Sequence, residues 1–217
     1  MATALEHRGG ITVVNRSAIQ AEPVTAMQLK KLLIEETVRQ CGHEERQGQL
    51  HMSSLHLPVD VILENIRNGQ QVDDEMKLKF YRGTHAEKGF QERLRSLLLA
   101  HQLYSDGPRT IRAYDGRLIG HIDASLPNDN VVIDYKSAPD KDALAEVMQT
   151  RQVSRRIYFQ VQSYMLWGNF GKGFVVYETM KEGFIFIVEV RPHEATRRRL
   201  KDTVREVLER MDEASRQ

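Results

Sequence analysis

Two carboxylates and a lysine stand close together near the middle of the chain, each at the end of an apolar stretch. Asp123 follows residues 118–122, and Asp134 and Lys136 end a stretch that begins at Val131. Side chains alternate between the faces of a strand, so Asp134 and Lys136 are expected to point the same way. Two carboxylates that share a divalent metal ion, beside an ammonium group, suit metal-assisted attack on a phosphodiester. The alternative is an edge strand with an ordinary salt bridge.

Three further polar side chains lie on the helices predicted before and after these strands. Gln160 and Tyr164 are four residues apart and share a helix face, where their polar tips can bind a phosphate or a terminal nucleotide. The alternative is a buried tyrosine bonded to the sheet. His85 follows Gly83-Thr84 on the earlier helix, and its neutral imidazole can ligate a metal. A lone helix histidine is more often a surface or core residue.

Two arginine clusters are candidates for binding phosphates. Arg151, Arg155 and Arg156 stand around the start of the helix that carries Gln160, where the helix dipole disfavours cations. A second cluster, 197–199, lies on the last predicted helix. Such a local excess of arginine favours contacts with a nucleic-acid backbone. A solvated charged surface is the alternative for both clusters.

The elements expected to position these residues are read from apolar periodicity and turn signals. Helices are predicted over residues 25–40, 58–68, 73–100, 154–167 and 193–215, and strands over 110–114, 117–123, 131–136, 174–177 and 184–188. Asp115-Gly116 indicates a hairpin, and the first three strands are expected to be antiparallel neighbours. Gly120 leaves space for a close approach of backbone or ligand. This order predicts an α/β layered domain.

In their order and setting these residues resemble the PD-(D/E)XK nuclease superfamily. The similarity is to the RecB-like exonuclease branch, which includes the CRISPR adaptation nucleases and the mitochondrial genome maintenance exonuclease. In that branch a helix histidine precedes an Asp strand, a D/E-x-K strand follows, and a helix then bears Gln-x-x-x-Tyr. The resemblance covers about residues 84–190. It implies a restriction-endonuclease-like core with a central mixed sheet of about five strands flanked by helices.

The resemblance also implies a reaction, a metal and a set of site residues. Mg²⁺ or Mn²⁺ would be held by His85, Asp123, Asp134 and the Tyr135 carbonyl, Lys136 would position water or offset charge, and Gln160 and Tyr164 would fix the substrate end. Glu87 and Glu92 are the acidic alternatives to His85, because the spacing around Gly83 departs from the family pattern. Many relatives hold an iron–sulfur cluster through four cysteines. This chain has only Cys41 and cannot hold such a cluster alone.

The composition of the chain limits where a DNA-binding surface can lie and in which compartment the protein is expected. The chain has 217 residues and a formal net charge of +1, so a DNA-binding surface must come from local patches such as Arg151, Arg155 and Arg156. No apolar run approaches the ~20 residues that span a bilayer, and a cytoplasmic protein is expected. The expected organisation is an N-terminal arm over 1–24, a helical extension over 25–72 and a nuclease core over 73–217.

The sequence therefore predicts a metal-dependent DNA exonuclease of recombination, repair, or phage or CRISPR DNA processing. Its substrate would be single-stranded DNA or DNA ends. A helicase, recombinase or other processing partner and a homo-oligomer are compatible with this function. The competing predictions are an endonuclease of the same superfamily and a catalytically silent DNA-binding module.

Overall fold

A computed structural model describes residues 48–69, 73–100 and 108–216. The helix predicted over 25–40 and the N-terminal arm lie outside these residues. The helices are α1 (Val59–Asn68), α2 (Asp74–Ala100), α3 (Ala145–Thr150), α4 (Arg155–Trp167) and α5 (Glu194–Ala214). The strands are β1 (Leu50–His51), β2 (Arg109–Ala113), β3 (Leu118–Ile122), β4 (Ala124–Leu126), β5 (Val131–Ala138), β6 (Lys172–Thr179) and β7 (Ile185–Val190).

The strands form a three-stranded sheet of order β1-β3-β2 and a four-stranded sheet of order β4-β5-β6-β7. β2 and β3 form the predicted antiparallel hairpin, with Asp115 and Gly116 both at positive φ in its turn. β5 is parallel to β6 and antiparallel to β4, so the second sheet is mixed. The predicted α/β fold with a mixed sheet and flanking helices is confirmed. β5 is an interior strand, and the alternative of an edge strand is wrong.

The strand predicted over 117–123 ends at Asp123, and a second short strand follows it directly. β3 ends at Ile122 and β4 begins at Ala124, which pairs with Ile133 of β5. The sequence predicted that residues 118–122 are the neighbour of β5. The structure places β4 there instead. At the break, Oδ2 of Asp123 accepts a hydrogen bond of 2.6 Å from the backbone N–H of Tyr135. A side-chain acceptor thus replaces a ladder partner where the chain passes between the two sheets.

The two faces of the four-stranded sheet are covered by different helices. Val132 and Val175 belong to the large core that includes α4, α5 and α1. Ile133 and Tyr135 face the other way and pack against Phe90 of α2. This confirms that Asp134 and Lys136 share one face and Ile133 and Tyr135 the other. None of the helices in the described ranges is long and apolar enough to cross a membrane.

Amphipathic periodicity accounts for the helices that surround the sheet. α1 begins after Pro58 and buries Ile62, Leu63 and Ile66, as its apolar spacing predicts. α5 buries its predicted inward positions against the core; these are Leu200, Val204, Val207 and Leu208. Ser154 caps α4 by accepting a hydrogen bond from the N–H of Ile157. α5 packs against both α4 and α1.

Candidate active site

Asp123, Asp134 and Lys136 meet where β3, β4 and β5 adjoin. Asp134 is 1% exposed, and its Oδ2 forms an ion pair of 2.8 Å with Nζ of Lys136. This oxygen is buried and has no hydrogen bond of normal geometry. Asp123 is tied to the same strand through the N–H of Tyr135. The structure therefore brings together the two carboxylates and the lysine that the sequence singled out.

The cluster carries more negative than positive charge. Burial, followed by the charge of Asp134, raises the pKa of Asp123 to about 7, and Glu87 adds to the shift. Burial alone would lower the pKa of Lys136, but the charges of Asp134 and Asp123 outweigh it and raise this pKa. Three carboxylates thus face one ammonium group. Such an excess favours binding of a cation.

Glu87 of α2, and not His85, faces this cluster. Burial raises the pKa of Glu87, with opposing contributions from Lys136 and Asp134. Gln91, one turn later, donates hydrogen bonds to Oε1 of Glu87 (2.7 Å) and to the carbonyl of Asp123 (3.4 Å). α2 therefore presents an acid to the sheet at this position.

His85 lies on another side of the same helix. It is exposed, and its ring packs edge-on against Tyr81 with 4.3 Å between ring centres. Residues 85 and 87 are about 200° apart around an α-helix, so only one of the two can face the sheet. Glu92, the other alternative, is exposed. The structure does not support the metal-ligand role predicted for His85 and favours Glu87 in its place.

Gln160 and Tyr164 share one face of α4, as predicted, and bond to each other. Nε2 of Gln160 donates a hydrogen bond of 2.7 Å to the hydroxyl of Tyr164, which is 2% exposed. A Cβ at Gly120 would lie 2.9 Å from Cε1 of Tyr164 and 2.4 Å from Sδ of Met52. Gly120 is thus required by the close approach of α4. The partly exposed Gln160 amide is the group of this pair that can reach a ligand.

A polar cavity of about 260 Å³ lies beside the first turn of α4. Its polar lining comes from the segment before α1, from α1 and from α4: Gln49, His51, Ser53, Ser54, His56, Asn65 and Arg156. Arg156 also acts electrostatically on Lys136, which relates the cavity to the carboxylate cluster. Burial lowers the pKa of His56. Sequence reasoning missed this cavity because residues 49–56 carry no periodic or motif signal.

The predicted DNA-binding arginines lie around the N-terminal end of α4. Arg151, Arg155 and Arg156 are all exposed. Arg156 lines the cavity, whereas the guanidinium carbon of Arg151 lies 4.7 Å from the ring centre of Phe186. Arg155 lies over Phe159 at 5.6 Å. Arg156 therefore belongs to the cavity, whereas Arg151 and Arg155 each rest on an aromatic ring.

A second polar network, also missed from sequence, holds the middle residue of the Asp134-Tyr135-Lys136 triplet. The Tyr135 ring stacks on Phe90 with 4.6 Å between ring centres. Its hydroxyl donates a hydrogen bond of 2.8 Å to Glu178, which also pairs with Arg93 of α2. Burial raises the pKa of the Tyr135 hydroxyl. Tyr135 thus links the Asp134–Lys136 strand to α2, the helix that carries Glu87.

The donor set fits Mg²⁺ or Mn²⁺ in chemistry and charge. In the part of the chain that the structure describes, no three His, Cys, Asp or Glu side chains already form a metal-holding group. Asp134 already pairs with Lys136, and the raised pKa of Asp123, caused by burial and by the charge of Asp134, leaves a carboxyl group at which a cation would favour the charged form. Carboxylate and carbonyl oxygens are the ligands that these hard cations prefer.

Comparisons with known proteins identify the fold. No family model matches the chain, and no curated protein matches it significantly. Among solved structures it is similar to the alkaline exonuclease LHK-Exo of Laribacter hongkongensis, with a TM-score of 0.58 and 14% identity over 84% of this chain and 96% of that one. LHK-Exo in complex with dAMP gives a TM-score of 0.57 and 13% identity, covering 79% and 93% of the two chains.

A phage-related exonuclease from Haemophilus somnus 129PT is also similar, with a TM-score of 0.53 and 12% identity. The similarity covers 73% of this chain and 91% of that one. At these identities the likeness is one of fold. The chain thus shares the α/β fold of these solved exonuclease structures.

Proposed function

We propose that this protein is a metal-dependent DNA exonuclease of the RecB-like branch of the PD-(D/E)XK superfamily. The observation that carries the proposal is the buried Asp134–Lys136 pair beside Asp123 and Glu87, inside a fold shared with exonucleases. A salt bridge kept only for stability would not need two further partly buried acids at its side. Recombination, repair, or phage or CRISPR DNA processing is the corresponding cellular setting, with a helicase or recombinase as a compatible partner.

Each residue of the cluster has a distinct task in this reaction. Asp123, Asp134, Glu87 and the Tyr135 carbonyl would hold the metal ion. Bound Mg²⁺ or Mn²⁺ supplies a water of lowered pKa and positive charge for the phosphate. Lys136, held in its charged form by Asp134 and Asp123, offsets negative charge that develops on the phosphate. The hydrogen bond from Tyr135 to Asp123 keeps the two acidic residues in register.

The end of the DNA would enter the polar cavity beside α4. The hydroxyl, imidazole, amide and guanidinium groups that line this cavity of about 260 Å³ match the donors that a terminal nucleotide phosphate needs. Gln160, anchored by Tyr164, would orient that terminus. LHK-Exo has been crystallised with dAMP, which supports a nucleotide-sized ligand for this fold. A site that binds a free end explains a preference for linear over circular DNA.

The test is cleavage of end-labelled linear DNA and of circular DNA, single- and double-stranded, with Mg²⁺, Mn²⁺ or EDTA. We expect linear DNA to be lost only with metal and circles to be spared. Lys136→Ala and Asp134→Asn should reduce cleavage by about a hundredfold or more, since each removes charge needed at the phosphate or the metal. Lys181→Ala, in the exposed turn after β6, is the matched control and should cleave normally.

The alternatives give different results in the same experiment. Cut circles would identify an endonuclease. DNA binding without cleavage under any metal condition would identify a binding module that keeps the fold. Circular dichroism would check that the Lys136→Ala protein is folded. Cleavage by this folded variant at the wild-type rate would show that the Asp134–Lys136 pair takes no part in the reaction.

A further inference from the structure

The two arginine clusters of the sequence meet on a single aromatic ring. Phe159 of α4 is 8% exposed, and two guanidinium carbons lie over its ring. That of Arg155 is 5.6 Å from the ring centre, and that of Arg199, from α5, is 5.3 Å from it. The packing of α5 on α4 thus brings together residues 44 positions apart, which sequence analysis treated as separate clusters.

The second cluster divides into three different environments. Arg197 is mostly buried and pairs with Glu194 at 3.5 Å. Arg198 is exposed and has no aromatic partner among the described residues. Only Arg199 is both exposed and supported by Phe159. The three arginines are alike in sequence, but in the structure they differ in exposure and in the groups that they contact.

Arg151, four residues before Arg155, also rests on an aromatic ring. Its guanidinium lies over Phe186, which stacks on Phe184. Within the described ranges, Arg151, Arg155 and Arg199 form no ion pair with an acidic side chain, and all three are exposed. Their positive charge is therefore available to an external anion. Cation–π contact also restrains each guanidinium, which lowers the entropy lost when it binds.

This surface lies next to the catalytic cluster along α4. Arg156 follows Arg155 directly and acts on Lys136 through its charge. The first turn of α4 therefore has one arginine that acts on the cluster and one that lies over Phe159. A polyanion that passes the cluster can continue onto Arg155 and the arginines near it. Phosphates of a nucleic-acid strand are the anions that repeat along such a path.

We propose that Arg151, Arg155 and Arg199 form a phosphate track that binds the DNA strand beyond the cleaved end. This proposal rests on the proposed nuclease function for the identity of the polyanion, DNA. It does not require that the protein cleaves that DNA. Phe159 and Phe186 support the guanidinium groups, and the bases of the strand are not read. Binding on the track is sequence-independent and sensitive to salt.

The test is fluorescence anisotropy with labelled single- and double-stranded oligonucleotides in EDTA, over a series of salt concentrations. We expect Arg155→Gln and Arg199→Gln each to weaken binding and to lower the slope of log K against log salt by about one. Arg198→Gln removes the same charge one residue away from Arg199 and is the matched control. It should leave the affinity and the slope close to wild type.

A second variant separates the support of the guanidiniums from their charge. Phe159→Leu keeps both arginines, and we expect weaker binding with an unchanged net charge, provided thermal melting shows a folded protein. Equal weakening by Arg198→Gln and Arg199→Gln would overturn the track in favour of a diffuse basic surface. So would unchanged binding in the Arg155→Gln/Arg199→Gln double variant.

Cleavage assays distinguish failure of the track from failure of the nuclease proposal. If the double variant loses cleavage of long DNA but keeps cleavage of a trinucleotide, both proposals stand. If wild-type protein cleaves no DNA while the double variant loses binding, the track stands and the nuclease fails. If cleavage occurs and the double variant binds and cuts long DNA normally, the track alone fails.

Discussion

At the scale of single residues, charge balance explains the candidate site better than any motif does. Asp134 is paired with Lys136, and Asp123 and Glu87 add two further acids to the same cluster. Burial, with the charge of Asp134 adding to it, raises the pKa of both added acids and costs stability in the folded state. Such a cost is expected where a protein must bind a cation.

This balance predicts opposite effects of Glu87→Gln on stability and activity. Replacing Glu87 by a neutral side chain should raise the melting temperature of the metal-free protein, because the cost of partly burying a charged carboxylate is removed. It should lower metal-dependent cleavage by about 10- to 100-fold, as loss of a group that supports metal sites commonly does. Thermal melting in EDTA and cleavage in Mg²⁺ measure the two effects.

His85→Gln and Glu92→Gln serve as controls on the same helix. Both residues are exposed, so we expect neither melting temperature nor cleavage to change much. Loss of activity in His85→Gln with normal activity in Glu87→Gln would support His85 as the metal ligand, as the sequence predicts, and would exclude Glu87 from that role.

At the scale of elements, the site depends on how closely α4 approaches β3. Gly120 is the contact point, where Met52 and Tyr164 occupy the space that a Cβ would fill. Tyr164 in turn anchors the Gln160 amide. The distance between helix and strand therefore sets the position of Gln160.

Gly120→Ala should destabilise the fold by about 1–3 kcal/mol, because its Cβ would lie 2.4 Å from Sδ of Met52. Cleavage should fall as well, since Tyr164 and Gln160 must shift. Gly83→Ala is the contrasting variant: its Cβ meets nothing closer than Oγ of Ser137 at 3.9 Å. It should stabilise α2 by up to about 1 kcal/mol. Chemical denaturation measures the free energy of unfolding of both variants, and equal values would contradict the predicted difference.

At the scale of the whole molecule, one buried amide joins three elements around the sheet. Gln162 of α4 is fully buried, and its Nε2 donates a hydrogen bond of 2.7 Å to the carbonyl of Arg191, after β7. Its Oε1 accepts one of 3.1 Å from the N–H of His193, which caps α5. Gln162 therefore fixes the last helix, and with it Arg199, against α4.

Gln162→Leu should lower the free energy of unfolding by about 1–3 kcal/mol, because two backbone groups lose their partner. Gln160→Leu, two residues earlier, loses only the bond to Tyr164 and should affect cleavage more than stability. Denaturation and cleavage measured on both variants would show this crossed pattern. If Gln162→Leu changed cleavage alone, its structural role would be refuted.

Local patterns in the sequence determined most of the elements and half of the site. Apolar spacing fixed α1, α4 and α5, and Asp115-Gly116 fixed the β2–β3 hairpin. Alternation along β5 placed Asp134 and Lys136 on one face. These features depend on residues a few positions apart, so helix and strand periods are sufficient to predict them.

Only the tertiary structure decided which distant residues complete the site. It placed β4 directly after Asp123, turned Glu87 rather than His85 toward the carboxylates, and joined Arg155 to Arg199 on Phe159. None of these choices has a local signal, because each depends on how helices pack against sheets formed by residues far apart in the chain. Repulsion among buried acids and contact between packed helices arise only once the chain is folded.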